Sequence, residues 1–371
     1  MQLAYPYYRL NNKGVKDVLM SNQTMKAVTV YGPRDARVEN VPIPKADGDM
    51  LVIKVCRTGV CATDMSIFTG DSSFIRSGEI KYPVRFGHEW AGIVVAVGPN
   101  VKRFAPGDRV YADNFVSCGT CEACKSGDLM SCASIMSVGT VNCWDGCYAE
   151  YMQMPERHVY LLPDALSMDE GALIEPASIA FDAFRNAVLT KDDTAVVFGT
   201  GAIGMAAVWL AKYYGAGRVI LVGRSQSKLD VALQIGADCV INNTQEDAVA
   251  RIKELSLGGR GANMVVETSG DPAALKQSLA CAARYARISI VSFYERNIDD
   301  LPIDPLVHGC FTLTGAAGRL GNADGVCSIM EKNPIKLTPV VTHHVPFENM
   351  LDVFENDQNY RTKIKVMITF D

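Results

Sequence analysis

Residues 194–215 read TAVVFGTGAIGMAAVWLAKYYG. The apolar strand Ala195–Phe198 runs straight into Gly199, Gly201 and Gly204, a G-x-G-x-x-G turn, and the text then becomes helical. Each glycine has a task. The first permits the tight turn, and the second lets the backbone amides, with Ala202 and Ile203 in the same turn, approach a pyrophosphate. The third lets the helix pack close to the strand and aim its positive N-terminal end at the phosphates. A glycine turn alone is weak evidence. A strand before it and a helix after it make it a dinucleotide loop.

The text beyond the loop repeats the same alternation: RVILVG, SKLDVALQIGA, CVINN, a helical stretch, NMVVETSG, another helix, then RISIVSF. This alternation predicts an α/β fold with a doubly wound parallel sheet. About 20 residues past the loop, an NAD site wants a carboxylate for the ribose hydroxyls. Here the second strand ends in Gly223-Arg224-Ser225, with Lys228 following. The Arg224 guanidinium fork suits a 2′-phosphate, with Ser225 and Lys228 as added donors. Charge-assisted bonds contribute roughly 1.5–3 kcal/mol each, so NADP is expected over NAD.

Upstream, from Met25 to about Glu175, short β-rich runs (LVIKVCRTG, AGIVVAVG, DRVYAD, YAEYMQM, HVYLLP) are punctuated by Gly and Pro, as in an irregular, mostly antiparallel domain. Residues 1–24 read as an appended arm. We assign 25–176 and 313–371 to one mostly-β domain, and 177–312 to a Rossmann dinucleotide-binding domain. Within the former, Cys118, Cys121, Cys124 and Cys132 stand as C-x2-C-x2-C-x7-C. Four such thiols can surround one tetrahedral zinc and leave no open position. That site is structural, so a reactive metal has to be sought elsewhere in the same domain.

With 371 residues and 48% apolar content, two cores are expected. The net charge of −5 and the lack of dense Lys/Arg runs argue against nucleic acid. Twelve Cys without a signal peptide, four of them at metal-ligand spacing, point to a reducing, cytoplasmic compartment. The longest apolar runs, such as Gly204–Ala211, fall short of the roughly 18 residues of a membrane helix, so no membrane partner is expected. There is no internal repeat.

Cys61 in GVCATD and His88-Glu89 in GHEWAG follow apolar or turn segments of the β-rich part. Taken singly, each is a common core residue. With the trailing GIVVAVG, the APGDRV turn, the four-Cys lobe, IEPAS and GTGAIG in order, the chain resembles the zinc-dependent medium-chain dehydrogenase/reductases over residues 25–371. The resemblance is to the sorbitol, threonine and sugar dehydrogenase branch. It implies a GroES-like catalytic domain, two zincs per chain, and Cys61 and His88 as catalytic zinc ligands. Glu89 would be a ligand or exchangeable ligand. Glu175 of IEPAS stands where alcohol dehydrogenases have Cys, and would bind the metal directly or through water. A carboxylate there gives a harder, more exchangeable zinc suited to hydroxyl-rich substrates.

The same resemblance makes Thr63 the hydroxyl that passes the substrate proton outward, with Ser66 where some relatives have a relay His. It makes Asp64 a support for His88 and Lys365 a countercharge to Glu89. The expected substrate is a small polyol, cyclitol or sugar, with L-threonine or a short-chain diol as the alternative, and the expected assembly is a homodimer or homotetramer. A zinc-free quinone reductase is opposed by Cys61, His88 and the lobe together. A nucleic-acid-binding zinc ribbon is opposed by the acidic balance, and an iron–sulfur run by the last Cys spacing. His158, His308, His343 and His344 are read as structural, and Cys143 and Cys147 as lining or packing. Cys56, Cys239, Cys281, Cys310 and Cys327 are read as core thiols.

Overall fold

The strand Thr194–Phe198 has no exposed side chain. With successive side chains on opposite faces, it needs apolar cover on both, which a parallel sheet flanked by helices provides. The computed structural model, which describes residues 24–370, shows that sheet. Its six strands lie in the order Cys239–Asn242, Arg218–Gly223, Thr194–Phe198, Ala262–Glu267, Ala282–Ile290, Thr312–Gly315. Counted in chain order this is 3-2-1-4-5-6, and every pairing is parallel. Ligands of such sheets bind where the order reverses, at the carboxyl ends of the first and fourth strands. Val196, Phe198, Ile220, Val222, Ile241, Val265 and Ile288 form the core of this sheet.

The helix Ala202–Tyr213 buries eight consecutive residues, Gly204–Ala211. It is covered on all sides, which its uniformly apolar text anticipates. The polar group of its buried Trp209 is satisfied, since the indole N–H donates to Ile335 O at 2.7 Å. The helix comes so close to the sheet that a Cβ on Gly204 would lie 2.0 Å from Gly199 O. Gly199 itself sits at φ +109, in the region that favours glycine.

The β-rich segments form a seven-stranded sheet in the order Val159–Leu161, Arg109–Ala112, Glu89–Val97, Met50–Gly59, Lys365–Thr369, Val341–Pro346. The seventh strand, Tyr151–Pro155, pairs with Met50–Gly59. The pairs resolved between Met50–Gly59 and Tyr151–Pro155, between Glu89–Val97 and Arg109–Ala112, and between Arg109–Ala112 and Val159–Leu161 are all antiparallel. A three-stranded sheet joins Asp35–Pro42, Thr24–Gly32 and Val84–Arg85. Thr24 opens the first strand, and the rest of the expected arm lies outside the described residues. A two-stranded ribbon, Phe115–Val116 with Met136–Ser137, brackets the four-Cys lobe.

By its internal contacts the chain falls into two units. One takes the chain up to Thr58 with Ala62–Ala172 and Thr369 onward, and the other takes Gly59–Cys61 and Leu173–Ile368. No helix of the described residues is long and apolar enough to cross a membrane. All twelve cysteines are free. Cys281 and Cys327 are buried as expected, and Cys56 and Cys239 partly so. Cys310 departs from the core reading: it is exposed, on a positive-φ turn after the short helix Asp304–His308. An apolar sequence neighbourhood did not bury it because that turn faces outward.

Candidate metal centres and dinucleotide loop

Cys118, Cys121, Cys124 and Cys132 bring their sulfurs within 4.8 Å of one another. The Cys118 and Cys124 sulfurs are 3.9 Å apart, against about 3.8 Å across a tetrahedron of 2.3 Å zinc–sulfur bonds. The lobe has little regular structure of its own, only the four-residue helix Glu122–Lys125 and the turn Leu129–Ser131. Backbone N–H groups are spent on sulfur instead. Thr120 and Cys121 donate to Cys118 Sγ at 3.4 Å, and Cys118 N–H donates to Cys132 Sγ at 3.3 Å. The Thr120 hydroxyl and amide bonds lower the Cys118 thiol to about 5, while burial pushes Cys124 up to about 11. The donor set fits a zinc.

The base of the lobe is clamped by residues the sequence did not single out for a role. His158 is buried, and its Nε2 accepts from the Ser117 N–H at 3.0 Å with the Ser117 hydroxyl also at 3.0 Å. Arg157 bonds Ser117 O and pairs with Asp49 at 2.8 Å. Burial, helped by the Arg157 charge, lowers His158 to about 4.

The second cluster contains Cys61, His88 and Glu89, each offering one donor atom within 4.8 Å of the others. Local structure sets each of them. Val60 is held by its N–H to Val366 O and by Lys365 Nζ donating to its carbonyl, both at 3.0 Å, so the backbone entering Cys61 is pinned. Lys365 thus also holds the Cys61 turn. Glu89 opens the strand Glu89–Val97 and is 1% exposed. His88 Nδ1 lies 3.3 Å from Asp64 Oδ1, which leaves Nε2 as the ring nitrogen available to a metal. Asp64, fully buried in the helix Ala62–Thr69, accepts the Tyr148 hydroxyl on Oδ2 at 2.6 Å. Burial raises the Tyr148 phenol well above its ordinary value. This tyrosine is a site residue that sequence analysis missed, because YAEY reads only as a β-strand.

Thr63 is part-buried in the first turn of the Ala62–Thr69 helix, and its carbonyl accepts the Ser66 hydroxyl at 2.9 Å. Glu175 does not join the three-residue cluster. It is buried in the helix Met168–Ala183, one residue before the internal Pro176, and its carbonyl accepts the Ser178 hydroxyl at 2.7 Å. Cys147, fully buried, packs its thiol 2.8 Å from the Thr58 hydroxyl, and burial raises its pKa. Cys143 and Trp144 line a cavity of about 300 Å³ with Met25, Arg85 and Asp145.

At the glycine loop, Gly201 caps the helix Ala202–Tyr213 without a side-chain cap, and a Cβ added to it would meet nothing within 4 Å. First-turn N–H groups beside open space fit a pyrophosphate. The loop is held from behind by Thr268, whose hydroxyl donates to Phe198 O at 2.8 Å. The Thr268 turn is in turn fixed on the fully buried Glu267, which accepts the Ser269 N–H at 2.7 Å and the Tyr294 hydroxyl at 2.6 Å. Gly223 ends the second strand. Arg224 after it is exposed and has no hydrogen-bond or ion-pair partner among the described residues. Ser225 precedes the helix Gln226–Gln234, and Lys228 is partly buried, its amine lowered first by burial and then by Lys363.

Residues 47–164 match the family model described as alcohol dehydrogenase GroES-like domain, and 202–327 match zinc-binding dehydrogenase. The chain is 31% identical over 347 residues to sorbitol dehydrogenase of Bacillus subtilis, covering 93% of this chain and 97% of the relative. It is 34% identical over 326 residues to L-threonine 3-dehydrogenase of Bacillus licheniformis, covering 87% and 92%. A Sinorhizobium meliloti structure solved with NADP bound superposes with a TM-score of 0.84 at 26% identity, over 94% of this chain and all of the other.

His158 supplies a test of the lobe's base. A histidine held neutral in the fold, at about 4 against an ordinary 6.5, contributes stability that is complete above pH 6.5 and is lost as pH falls toward 4, because the unfolded chain binds the extra proton. Urea unfolding between pH 7 and 4 should therefore show a steeper acid loss in the wild type than in His158→Gln. Parallel curves would remove the histidine from the account.

Proposed function

We propose a reaction for this chain, which belongs to the zinc-dependent medium-chain dehydrogenase family: NADP-linked interconversion of a secondary alcohol and a ketone on a small polyol, cyclitol or sugar. The observation that carries it is the grouping of Cys61, His88 and Glu89 in one donor set, separate from the closed four-Cys lobe. These three would hold the catalytic zinc, with Glu175 as a further carboxylate, directly or through water. The four cysteines would hold a second, structural one. When bound, the catalytic zinc supplies Lewis acidity that makes a substrate hydroxyl easier to deprotonate.

The chain's own residues do the rest. Asp64 fixes the His88 ring, and Thr63 takes the substrate proton outward on its hydroxyl. The Ser66 hydroxyl is engaged with Thr63 O, so the onward path runs through water or Glu175. The amides of Ala202, Ile203 and Gly204 bind the pyrophosphate, while Arg224, Ser225 and Lys228 bind the 2′-phosphate. Residues 25–176 with 313–371 are read as the catalytic domain and 177–312 as the cofactor domain. Twelve free thiols support a reducing, cytoplasmic setting.

The polyol reading is supported by the Glu at 175 and by the similarity to sorbitol dehydrogenase. The threonine dehydrogenase similarity supports L-threonine as the second reading. A homodimer or homotetramer is supported by the outer strand Thr312–Gly315, where Leu313 is 41% exposed, beside Ile303, Val307 and Tyr285 at 52%, 72% and 69%. An unpaired apolar sheet edge of this kind invites another chain.

Three measurements test these statements. A panel of polyols, inositols, sugars, short-chain diols and L-threonine, each with NAD and NADP, should give reduced cofactor with a polyol-type substrate, and Cys61→Ser should abolish it; full activity in that variant would remove the metal from the reaction. Arg224→Ala should lower kcat/KM for NADP about 10- to 100-fold, as expected for one lost charge-assisted bond, and leave that for NAD within about twofold. Light scattering should give a multimer for the wild type and a smaller mass for Leu313→Lys, whereas a monomeric wild type would end the oligomer reading.

A further inference from the structure

We infer that Tyr148 is a positioning residue of the catalytic metal site, acting on His88 by two routes; this rests on the donor set proposed above. The first route is the hydroxyl. Tyr148 donates to Asp64 Oδ2 at 2.6 Å while Asp64 Oδ1 faces His88 Nδ1 at 3.3 Å. Asp64 is 0% exposed. A buried carboxylate with one oxygen hydrogen-bonded to Tyr148 and the other in ion-pair contact with the imidazole is restrained in its orientation beside His88.

The second route is the ring. It lies flat beneath Gly87, the residue before His88, so closely that a Cβ there would meet Tyr148 Cγ at 2.7 Å. It also meets Phe86 edge-on at 4.8 Å between centroids. The backbone cooperates, since Tyr148 N–H donates to Phe86 O at 3.3 Å and Cys147 N–H to Gly87 O at 2.9 Å. The segment 86–88 is thus held from below by ring and backbone, and the His88 ring is held from the side through Asp64. Phenylalanine would supply the ring contact alone. A tyrosine here gives both.

The test separates the hydroxyl from the ring. Tyr148→Phe keeps the ring, so the four-Cys zinc and the far-ultraviolet spectrum should be unchanged. Release of the second zinc to a chelator, followed by a colorimetric indicator, should speed up about 10-fold or more, in the range for lost support of a metal-bound histidine. Asp64→Asn should speed it similarly, and adding Tyr148→Phe to Asp64→Asn should add little, because the hydroxyl acts through Asp64. The double variant leaves no carboxylate unpaired, so it carries the comparison where Tyr148→Phe alone folds poorly. Release from Tyr148→Phe at the wild-type rate, or an additive acceleration in the pair, would overturn the inference. A wild-type chain that binds only the four-Cys zinc would instead sink the donor set on which it rests.

Discussion

The contact between Gly204 and the Gly199 carbonyl is the constraint on which the cofactor half depends. A strand with no exposed side chain must be sealed on both faces, and the helix that seals it here is apolar around its whole circumference. Only a residue without a Cβ lets that helix start directly at the strand's end. Its unsatisfied N–H groups are then left beside open space above Gly201. Cover for the sheet and a receptor for a doubly charged linker arise from the same three glycines. The buried Glu267, with Ser269 and Tyr294, holds the neighbouring turn so that the geometry is stiff before any ligand arrives.

Much of this was legible in the text. Strand and helix alternation after residue 194 gave the parallel sheet, because fully buried strands and apolar helices leave unmistakable periods. The four-Cys lobe was legible because four thiols spaced within 15 residues are grouped without tertiary information. Cys61, His88 and Glu89 were singled out through ordered motifs, and they lie together in the fold. Tyr148 and the His158–Ser117 clamp were not, because each acts across more than 40 positions on a partner that no local pattern identifies. Cys310 shows the opposite error, in which an apolar neighbourhood did not decide which way a turn points.

The two cysteine-bearing centres use opposite means of staying in shape. Within the lobe, amide groups are directed at sulfur and the polypeptide is nearly free of regular structure. A small segment without a core of its own would draw its stability from a metal held by these sulfurs. Around His88 the support is instead aromatic packing and a buried carboxylate, with donors drawn from separate strands and loops.

The pinning of Val60 has a further consequence, for biosynthesis. Its two partners, Lys365 and Val366, are separated from it by about 300 positions of chain. A ribosome releases Cys61 long before the strand that fixes its backbone, and domains formed during synthesis rely on what has already emerged. Through nearly all of translation the thiol at position 61 is carried on an unanchored turn. The lobe ligands at 118–132, by contrast, are all present within 15 residues of one another. Chain topology thus completes the four-Cys donor set early in synthesis and fixes the backbone at Cys61 only near its end.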